Sequence, residues 1–415
     1  MSAAVFCIGT ELTRGELVNG NATWIADALT AIGLEVTELE CTDDDRARIR
    51  AHLARLCQDH DLVVCTGGLG PTTDDLTTEC VAELLGVPLE RHDESLAVIR
   101  ARMERFGRVM AASNAKQADF PRGARVLPNR HGTAPGFSVR IGRALAFFLP
   151  GVPREMRGLF EEHVAADARA LVSEHVHQVI LRSFGVTESA INDRLAGIAE
   201  EHGVTIGYRA HFPEIEVKLL ARAHEPAAAA ASARAAADAV QVRVGTDIVY
   251  GEGRRALPEV VGALLSERQL KIGLAESCTG GLASMWLTDQ GGSSAYFAGA
   301  VVVYSNALKH ALLGVPSELL ERHGAVSREV ALSMAECARS RLGVDVSLSL
   351  TGVAGPSGGT PEKPVGLVHF AVATASGATA RHIQFPGTRD QVRKLSAFAG
   401  LALVRRVLLH GHEER

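Results

Sequence analysis

A short glycine-bearing turn between an apolar run and a helix-like run constrains this chain more than any other stretch. The turn is Ala275–Gly281, Ala-Glu-Ser-Cys-Thr-Gly-Gly; residues 272–275 before it predict a buried strand, and residues 282–287 after it predict a helix. A strand-to-helix turn of this kind exposes side chains at the edge of a sheet and points backbone N–H groups at a bound ligand. The other interpretation is a structural turn in which Ser277 or Thr279 only caps the helix. The turn alone leaves both interpretations open.

Short apolar runs alternate with helical patterns in the amino-terminal part of the chain. Residues 3–8, 35–41 and 61–66 predict strands, and amphipathic helices are predicted between them. Strands that alternate with helices are typical of a mostly parallel α/β sheet. A chain of 415 residues also exceeds the size of one typical hydrophobic core, which indicates two or three domains. The predicted fold class is therefore α/β, with more than one domain.

The third predicted strand runs into a loop that is rich in glycine and ends in two adjacent aspartates. Such loops bind phosphates in open α/β sheets, because their backbone N–H groups face the ligand. Carboxylates beside a phosphate indicate a hard divalent cation. The alternative is that the aspartates only cap the next helix, although a cap needs one carboxylate and no glycines. The candidate residues of this loop are Gly67, Gly68, Gly70, Thr72, Asp74 and Asp75.

Composition and charge exclude several classes of function. A formal net charge of -5 and an aromatic content of 5% predict no nucleic-acid partner, since nucleic-acid-binding proteins present basic surfaces and stacking aromatics. No apolar run is long enough to cross a bilayer, so no membrane association is predicted. The seven cysteines are scattered and form no Cys-x-x-Cys pair, a spacing that predicts neither a zinc site nor a disulfide framework. The expected location is the reducing cytoplasm.

The carboxy-terminal part of the chain offers an oxygen nucleophile and a candidate base. A serine needs a base to become a nucleophile, and no histidine lies in a comparable strand-exit loop. Lys309 is the better candidate, because it follows an apolar strand and stands near Tyr304 in the sequence, where desolvation would lower its pKa. A neutral lysine can accept the proton of a serine, as in Ser-Lys hydrolases. The alternative is an exposed helix lysine, which the spacing alone favours.

Four motifs of the amino-terminal region together resemble a known fold. They are Gly-Thr-Glu at 9–11, the loop at 67–75, Asn114–Gln117 and Pro150–Met156. Residues 3–168 resemble the molybdopterin-binding fold, and more closely the amino-terminal half of the CinA (competence/damage-inducible) family. The resemblance implies a metal-dependent ADP-ribose pyrophosphatase. It implies that Asp74 and Asp75 hold a divalent metal ion, that Glu11 orients water or the metal, that Lys116 and the loop amides hold the diphosphate, and that Asn114 binds substrate.

Four further motifs follow in order in the carboxy-terminal region. They are Ala-Glu-Ser-Cys-Thr-Gly-Gly, Tyr-Ser-Asn-x-x-Lys, Gly-Ala-Val-Ser and Thr-Gly-x-Ala-Gly-Pro, within residues 257–410. Together they resemble the CinA carboxy-terminal domain, which implies a nicotinamide mononucleotide deamidase that needs no metal or cofactor. In this chemistry Ser277 attacks the amide carbon, Lys309 acts as general base and then general acid, and Tyr304 holds Lys309 or relays its proton. The expected substrate-binding residues are Thr279, Gly280, Gly281, Thr351, Gly352 and Arg389, with the amides of Cys278–Gly281 at the oxyanion and Arg389 at the phosphate.

The predicted domains are residues 1–168 with the molybdopterin-binding fold, 169–250 as a small α+β connecting domain, and 257–412 as the deamidase domain. The resemblance implies a KH-like fold for the middle domain, although the Gly-x-x-Gly loop of a nucleic-acid-binding KH domain is not evident. It also implies a homodimer. The expected partners are small nucleotides, namely nicotinamide mononucleotide and ADP-ribose. Two other functions stay open: a non-catalytic interaction protein of competence or DNA damage, and a molybdopterin-binding module in the amino-terminal half.

Overall fold

The computed structural model describes residues 1–105, 107 and 109–412 of the chain. Its contacts divide the chain into two compact units. The first comprises Met1–His177 and Ala221–Ala231, and the second comprises Gln178–Leu220 and the chain from Ser232 onward. Each unit combines a sheet with packed helices, so the predicted α/β fold class is confirmed.

The first unit is organised around one mixed sheet. The strands of this unit are β1 (Ser2–Ile8), β2 (Glu35–Thr42), β3 (Leu62–Thr66), β4 (Leu89–Arg91), β5 (Asp119–Pro121), β6 (Arg125–Leu127), β7 (Gly136–Ile141) and β8 (Ala144–Leu149). Strands β4 and β5 pair with each other in a separate two-stranded sheet. Its helices are α1 (Thr10–Thr13), α2 (Gly20–Ile32), α3 (Arg46–Asp59), α4 (Thr77–Leu85), α5 (Asp93–Arg105), α6 (Pro153–Leu159) and α7 (Ala165–Ala170). The sheet order is β2-β1-β3-β8-β7-β6, and the first four of these strands are parallel. Apolar side chains of α2 and α6 pack on one face, and those of α3 and α4 pack on the other.

The carboxyl ends of β1, β3 and β8 meet at one edge of this sheet. Parallel strands point the same way, so Gly9 after β1, Gly67–Gly70 after β3 and Pro150–Gly151 after β8 line a single cleft. Gly67 has a φ of 107°, and a Cβ atom there would lie 2.0 Å from the carbonyl oxygen of Ile8 on β1. Glycine is required at this position, because the loop passes against the neighbouring strand. The glycine-containing loops therefore gather at one edge of the sheet.

The second unit contains the candidate serine and lysine. The remaining strands are β9 (His175–Ser183), β10 (Val204–His211), β11 (Glu214–Ala223), β12 (Val249–Glu252), β13 (Ile272–Glu276), β14 (Phe297–Val302), β15 (Val346–Gly352), β16 (Leu367–Thr374) and β17 (Gly377–Gln384). The remaining helices are α8 (Glu188–Arg194), α9 (Ile198–His202), α10 (Pro226–Val244), α11 (Leu257–Glu267), α12 (Leu282–Thr288), α13 (Asn306–Leu308), α14 (Ser317–His323), α15 (Arg328–Leu342) and α16 (Arg389–His410). One sheet has the order β10-β11-β9-β12, and the other has the order β14-β13-β15-β16-β17.

The second of these sheets positions the carboxy-terminal motifs. Strand β13 lies between β14 and β15 and pairs in parallel with both. Helices α11, α12 and α16 pack on one face, and α15 packs on the other. Ser327 caps α15, since its Oγ accepts from the Val330 amide at 3.3 Å. Among the residues described, no helix has the length and apolar character of a membrane span.

Several elements differ from those predicted. Residues 187–201 have the apolar spacing of one helix in the sequence, but they form α8 and α9, because Gly197 between them has a left-handed φ of 85°. The turn-rich stretch at 132–137, which reads as a loop in the sequence, overlaps the start of β7. The stretch at 251–255, which reads as a linker, overlaps the end of β12. The sequence does not predict β10, whose side chains are mostly half-buried or exposed. A strand with little buried apolar surface has weak hydrophobic alternation.

Candidate active sites

Ser277 and Lys309 form a buried pair at the carboxyl end of β13. Ser277 follows the last residue of that strand, and Lys309 begins a π-helical segment, Lys309–Leu313. The lysine Nζ donates to Ser277 Oγ at 3.0 Å and to the Val303 carbonyl oxygen at 2.9 Å. Ser277 is 6% exposed and Lys309 is 1% exposed. The alternative of an exposed helix lysine is therefore wrong.

The surroundings of Lys309 favour its neutral form. Desolvation lowers its pKa from the ordinary value of 10.5, and the nearby Cys278 opposes this shift. Neither of its two hydrogen-bond partners is a carboxylate, so neither supplies the negative charge that would stabilise the ammonium. The amine lies at hydrogen-bond distance from the serine hydroxyl. This geometry suits a general base acting on an oxygen nucleophile.

The turn after β13 is held by Glu276, a fully buried carboxylate. Its oxygens accept from the backbone amides of Gly281 at 3.0 Å, Ala283 at 3.3 Å and Ser284 at 2.8 Å. These amides lie at the start of α12, where backbone donors otherwise lack partners. The N-cap residue itself provides no side-chain cap. Glu276 caps the helix from the preceding strand, so the interpretation of the turn hydroxyls as helix caps is wrong.

Part of the Cys278–Gly281 turn is already hydrogen-bonded. The Gly280 amide donates to the Ser277 carbonyl oxygen at 3.1 Å, and the Gly281 amide donates to the Glu276 carboxylate. The first two amides of the turn are the remaining candidates for an oxyanion hole. The Thr279 hydroxyl is buried and has no hydrogen-bond partner within the described part of the chain. A substrate group would satisfy it, because buried polar atoms in native proteins are nearly always paired.

Cys278 stands between the two hydroxyl residues of the turn but is poorly suited to act as the nucleophile. It is 4% exposed, and burial raises the pKa of its thiol to about 12. The thiolate is the nucleophilic form of cysteine. Such a thiol is almost entirely protonated at neutral pH, so the Ser277 hydroxyl beside Lys309 is the better candidate nucleophile of this turn.

The side chains of Tyr304 and Arg389 are hydrogen-bonded to each other. Arg389 Nη2 donates to the Tyr304 hydroxyl at 2.9 Å, and Nη1 donates to the Gly355 carbonyl oxygen at 2.7 Å. The tyrosine is 60% exposed, whereas the hydrogen bonds of Lys309 go to Ser277 and Val303. This corrects the expectation that Tyr304 holds Lys309, since its hydroxyl contacts Arg389 instead.

Thr351 and Gly352, at the end of β15, make close contacts within the protein. The Thr351 hydroxyl donates to the Ala325 carbonyl oxygen at 2.8 Å, so its proton is used within the protein. A Cβ atom at Gly352 would lie 2.7 Å from the Leu367 carbonyl oxygen on β16. The close approach of β15 and β16 is therefore sufficient to explain this glycine, without any contact to substrate.

In the first unit, the glycine loop after β3 forms one wall of a cleft of about 400 Å³. Asp75 accepts from the Thr72 amide at 2.9 Å, and the Thr72 hydroxyl donates to both Asp74 and Asp75. The hydroxyl bond is the main reason why the pKa of Asp74 is lowered from its ordinary value of 3.8. The N-cap residue of α4 is Leu76, and no side chain caps the helix there. The helix-cap alternative for the aspartates is therefore wrong, and both carboxylates line the cleft.

Of two other predicted residues, one lines this cleft and one lies beside it. Glu11 forms part of its wall. Lys116 lies beside the loop, where its Nζ donates to the Thr72 carbonyl oxygen at 3.4 Å and forms an ion pair with Glu79 at 3.1 Å. Lys116 thus brings a positive charge to the glycine loop from outside the cleft wall.

Gln117, Glu155 and Asp44 are among the cleft-wall side chains that sequence reasoning missed. Gln117 lines the cleft where Asn114 of the same segment was expected to do so. Glu155 accepts from Asn129 Nδ2 at 2.6 Å, and Asp44 accepts from the Thr10 amide at 2.9 Å. Gln117 and Glu155 stand within the motifs at 114–117 and 150–156, which was the available signal. Asp44 has no such signal.

Three family models match the chain in order. They describe a probable molybdopterin binding domain at residues 4–170, a damage-inducible protein CinA KH domain at 178–251, and a CinA C-terminal domain at 254–408. A CinA-like protein of Anaeromyxobacter dehalogenans (strain 2CP-C) is 44% identical, over 98% of this chain and 100% of its own length. A CinA-like protein of Geobacter sulfurreducens is 41% identical, over 99% of this chain and 100% of its own length. The chain belongs to the CinA family.

Membership of the CinA family fixes the coarse identity of the molecule. It is a protein of the competence/damage-inducible type, with a molybdopterin-binding-like domain, a KH-like domain and a CinA carboxy-terminal domain in that order. The names of the relatives state no reaction. The activity of each site therefore depends on the chemistry of its own residues.

The amino-terminal cleft of this CinA-family protein fits a metal ion that binds together with a diphosphate better than a metal ion held by protein ligands alone. The described residues contain no group of three or more His, Cys, Asp or Glu side chains that could hold a metal ion, so Glu11 does not complete a ligand set with Asp74 and Asp75. Mg²⁺ is commonly bound by one or two carboxylates together with substrate phosphates. Two adjacent carboxylates beside a glycine loop fit a cation that binds together with a diphosphate. They do not fit a cage built from protein ligands alone.

Proposed function

We propose that the carboxy-terminal domain hydrolyses the carboxamide of nicotinamide mononucleotide to the carboxylate, with release of ammonia. The observation that carries this proposal is the 3.0 Å hydrogen bond between Lys309 Nζ and Ser277 Oγ within a buried site. Amide hydrolysis needs an activated nucleophile and a proton for the leaving nitrogen, and this pair supplies both. The choice of substrate rests on the resemblance of the motifs within residues 257–410 to the CinA carboxy-terminal domain. Arg389 offers a planar cation of the kind that binds phosphate.

The proposed reaction passes through an acyl-enzyme. Neutral Lys309 takes the hydroxyl proton while Ser277 Oγ attacks the carboxamide carbon, and the resulting oxyanion faces the amides of the turn. Lys309 then gives the proton to the amide nitrogen, the C–N bond breaks, and ammonia leaves an ester on Ser277. In the second half, Lys309 deprotonates a water molecule that attacks the ester carbon. The serine oxygen leaves, recovers its proton and releases nicotinic acid mononucleotide.

Ammonia release from nicotinamide mononucleotide tests this proposal. We expect Ser277→Ala to lower kcat/KM roughly 10³-fold or more, and Lys309→Ala to lower kcat more than it raises KM. Lys271→Ala removes an exposed lysine of the same domain and should keep wild-type activity as the matched control. Near-normal deamidation by Ser277→Ala would overturn the mechanism. A folded wild-type protein that releases no ammonia would favour the non-catalytic interaction protein.

We propose a second activity in the amino-terminal domain, hydrolysis of the diphosphate of ADP-ribose. What supports it is the cleft that combines the Gly67–Gly70 loop with Asp74 and Asp75. Thr72 holds both carboxylates in place, and Lys116 adds positive charge beside the loop. A divalent cation held by the two aspartates would neutralise charge on the diphosphate.

Release of AMP and ribose 5-phosphate from ADP-ribose, with and without divalent metal, tests the second activity. We expect Asp75→Asn to lower the metal-dependent rate roughly 10²-fold or more, because it removes a carboxylate beside the phosphates. Asp59→Asn changes an exposed aspartate of the same unit and should have no effect. Molybdopterin binding without metal-dependent hydrolysis would favour the binding-module alternative.

A further inference from the structure

A second cavity adjoins the glycine-loop cleft in the first unit. We call it the side groove; it measures about 530 Å³ and lies between α5 and the loop at 128–135. The residues of its wall that matter here are His92, Val98, Arg105, Pro128, Arg130 and Pro135. Thr133 lines both the side groove and the cleft. A ligand with its phosphates at the glycine loop can therefore extend past Thr133 into the side groove.

The loop wall of the side groove is fixed by hydrogen bonds on both sides. Arg102 on α5 donates to the Arg130 carbonyl oxygen at 2.9 Å. Asn129 Nδ2 donates to the Ala134 carbonyl oxygen at 2.8 Å and to Glu155 at 2.6 Å. The loop is thus tied to α5 at one end and to the wall of the cleft at the other. A groove built in this way is formed before any ligand binds.

The chemistry of the side groove suits a flat heteroaromatic ring. Val98 on a helix is 59% exposed, and together with two prolines it offers an apolar surface. The guanidinium groups of Arg105 and Arg130 can stack on a ring, as arginine does on nucleobases. A small ligand site typically combines such apolar walls with a few placed polar groups.

Gln117 supplies an independent sign of a ligand in the adjoining cleft. It lines the cleft and is 7% exposed, yet its Oε1 has no hydrogen-bond partner among the described residues. Buried polar atoms are nearly always paired, so an orphan acceptor in a cleft indicates a donor from outside the protein. The hydroxyl groups of a ribose are donors of this kind.

We propose that the side groove is the nucleoside subsite of the amino-terminal domain. The purine base of the ligand lies between Val98 and the loop at 128–135, its ribose donates to Gln117, and its phosphates lie at the glycine loop. The subsite rests on the proposed diphosphate hydrolysis for the place of the phosphates. It assigns base recognition to residues that none of the sequence motifs contains.

The affinities of AMP and ribose 5-phosphate, measured by calorimetry on the full chain, test the subsite. The wild type should bind AMP roughly tenfold or more tightly, because only AMP places a base in the groove. Val98→Trp fills the groove and should remove most of this preference without changing the affinity for ribose 5-phosphate. Val242→Trp, at a helix valine that is 84% exposed, is the matched control and should keep the preference. Gln117→Leu should weaken both ligands roughly threefold to tenfold.

Photolabelling with 8-azido-AMP locates the base directly. We expect labelled peptides from 92–105 or 128–135, with labelling suppressed by excess AMP. Labelling confined to residues 254–408, or a wild-type preference for AMP in Val98→Trp, would overturn the subsite. Labelling of the groove in a protein that does not hydrolyse ADP-ribose would reject the proposed activity and retain the subsite.

Discussion

Lys309 loses the hydration of its ammonium group in order to lie 3.0 Å from Ser277 Oγ. Burial, the chief cause of its lowered pKa, is a property of the fold and cannot be predicted from a lysine six residues after an apolar run. The sequence identified the residue type and the motif, but spacing alone favoured an exposed lysine. For Tyr304 the sequence suggested too much. Its proximity to Lys309 in the sequence suggested a contact between the two side chains, but the Tyr304 hydroxyl accepts from Arg389 instead.

The lowered pKa of Lys309 predicts how deamidation depends on pH. The base must be neutral to accept the serine proton, so kcat/KM should rise with pH until Lys309 is deprotonated. Because desolvation places that pKa below the ordinary value of 10.5, the rise should level off at a lower pH than an exposed lysine would give. Steady-state rates of ammonia release from neutral to alkaline pH measure this profile. A rate that does not respond to pH over that range would remove Lys309 from the role of general base.

Glu276 should influence turnover through the turn that it holds. Glu276→Gln replaces an acceptor-only group with one that carries two N–H donors, which face the amides of α12. We expect a loss of stability of about 2–3 kcal/mol and a fall in kcat with little change in KM, because the position of Ser277 changes while the binding residues remain. Urea unfolding and steady-state kinetics measure the two effects.

The control for this change is Glu321→Gln, at an exposed glutamate of α14, which should leave both quantities unchanged. A loss of stability with an unaltered kcat would show that Glu276 supports the fold without positioning the nucleophile.

At the scale of elements, the sequence predicted those parts of the fold that depend on local pattern. The glycine loops could be placed at a common edge, because parallel strands share an edge whatever their order in the sheet. The side groove could not be predicted, since it depends on hydrogen bonds between α5 and the loop at 128–135. The capping of α12 by Glu276 was missed for a related reason: the carboxylate belongs to the preceding strand, outside the usual cap position.

Two glycines with positive φ allow the glycine loop to be tested. Gly67 has a φ of 107°, and a Cβ atom there would lie 2.0 Å from the Ile8 carbonyl oxygen, whereas Gly86 has a φ of 66° and open space around it. Gly86→Ala should cost about 1–2 kcal/mol from backbone conformation alone. Gly67→Ala adds a backbone clash and should cost roughly 3 kcal/mol or more, with loss of ADP-ribose hydrolysis. Equal unfolding free energies for the two variants would show that the loop can move away from β1.

At the scale of the whole molecule, each candidate site lies within one compact unit. The glycine loop, Asp74 and Asp75 belong to the first unit, and Ser277 and Lys309 belong to the second. Each site also lies at the carboxyl end of parallel strands, where open α/β sheets bind ligands. CinA-family membership places both folds in one chain, and the local geometry of each fold is sufficient to build its own site.

This separation predicts that the two activities can be removed independently. Ser277→Ala should abolish ammonia release and leave ADP-ribose hydrolysis at the wild-type rate, and Asp75→Asn should do the reverse. Residues that share no partners have additive effects, so the double variant should lose both activities. The change in its free energy of unfolding should equal the sum of the changes in the two single variants. Both reactions are measured on the same preparations. If either single variant lost both activities while its unfolding curve matched the wild type, one site would depend on the chemistry of the other, and the two could not be treated as independent enzymes.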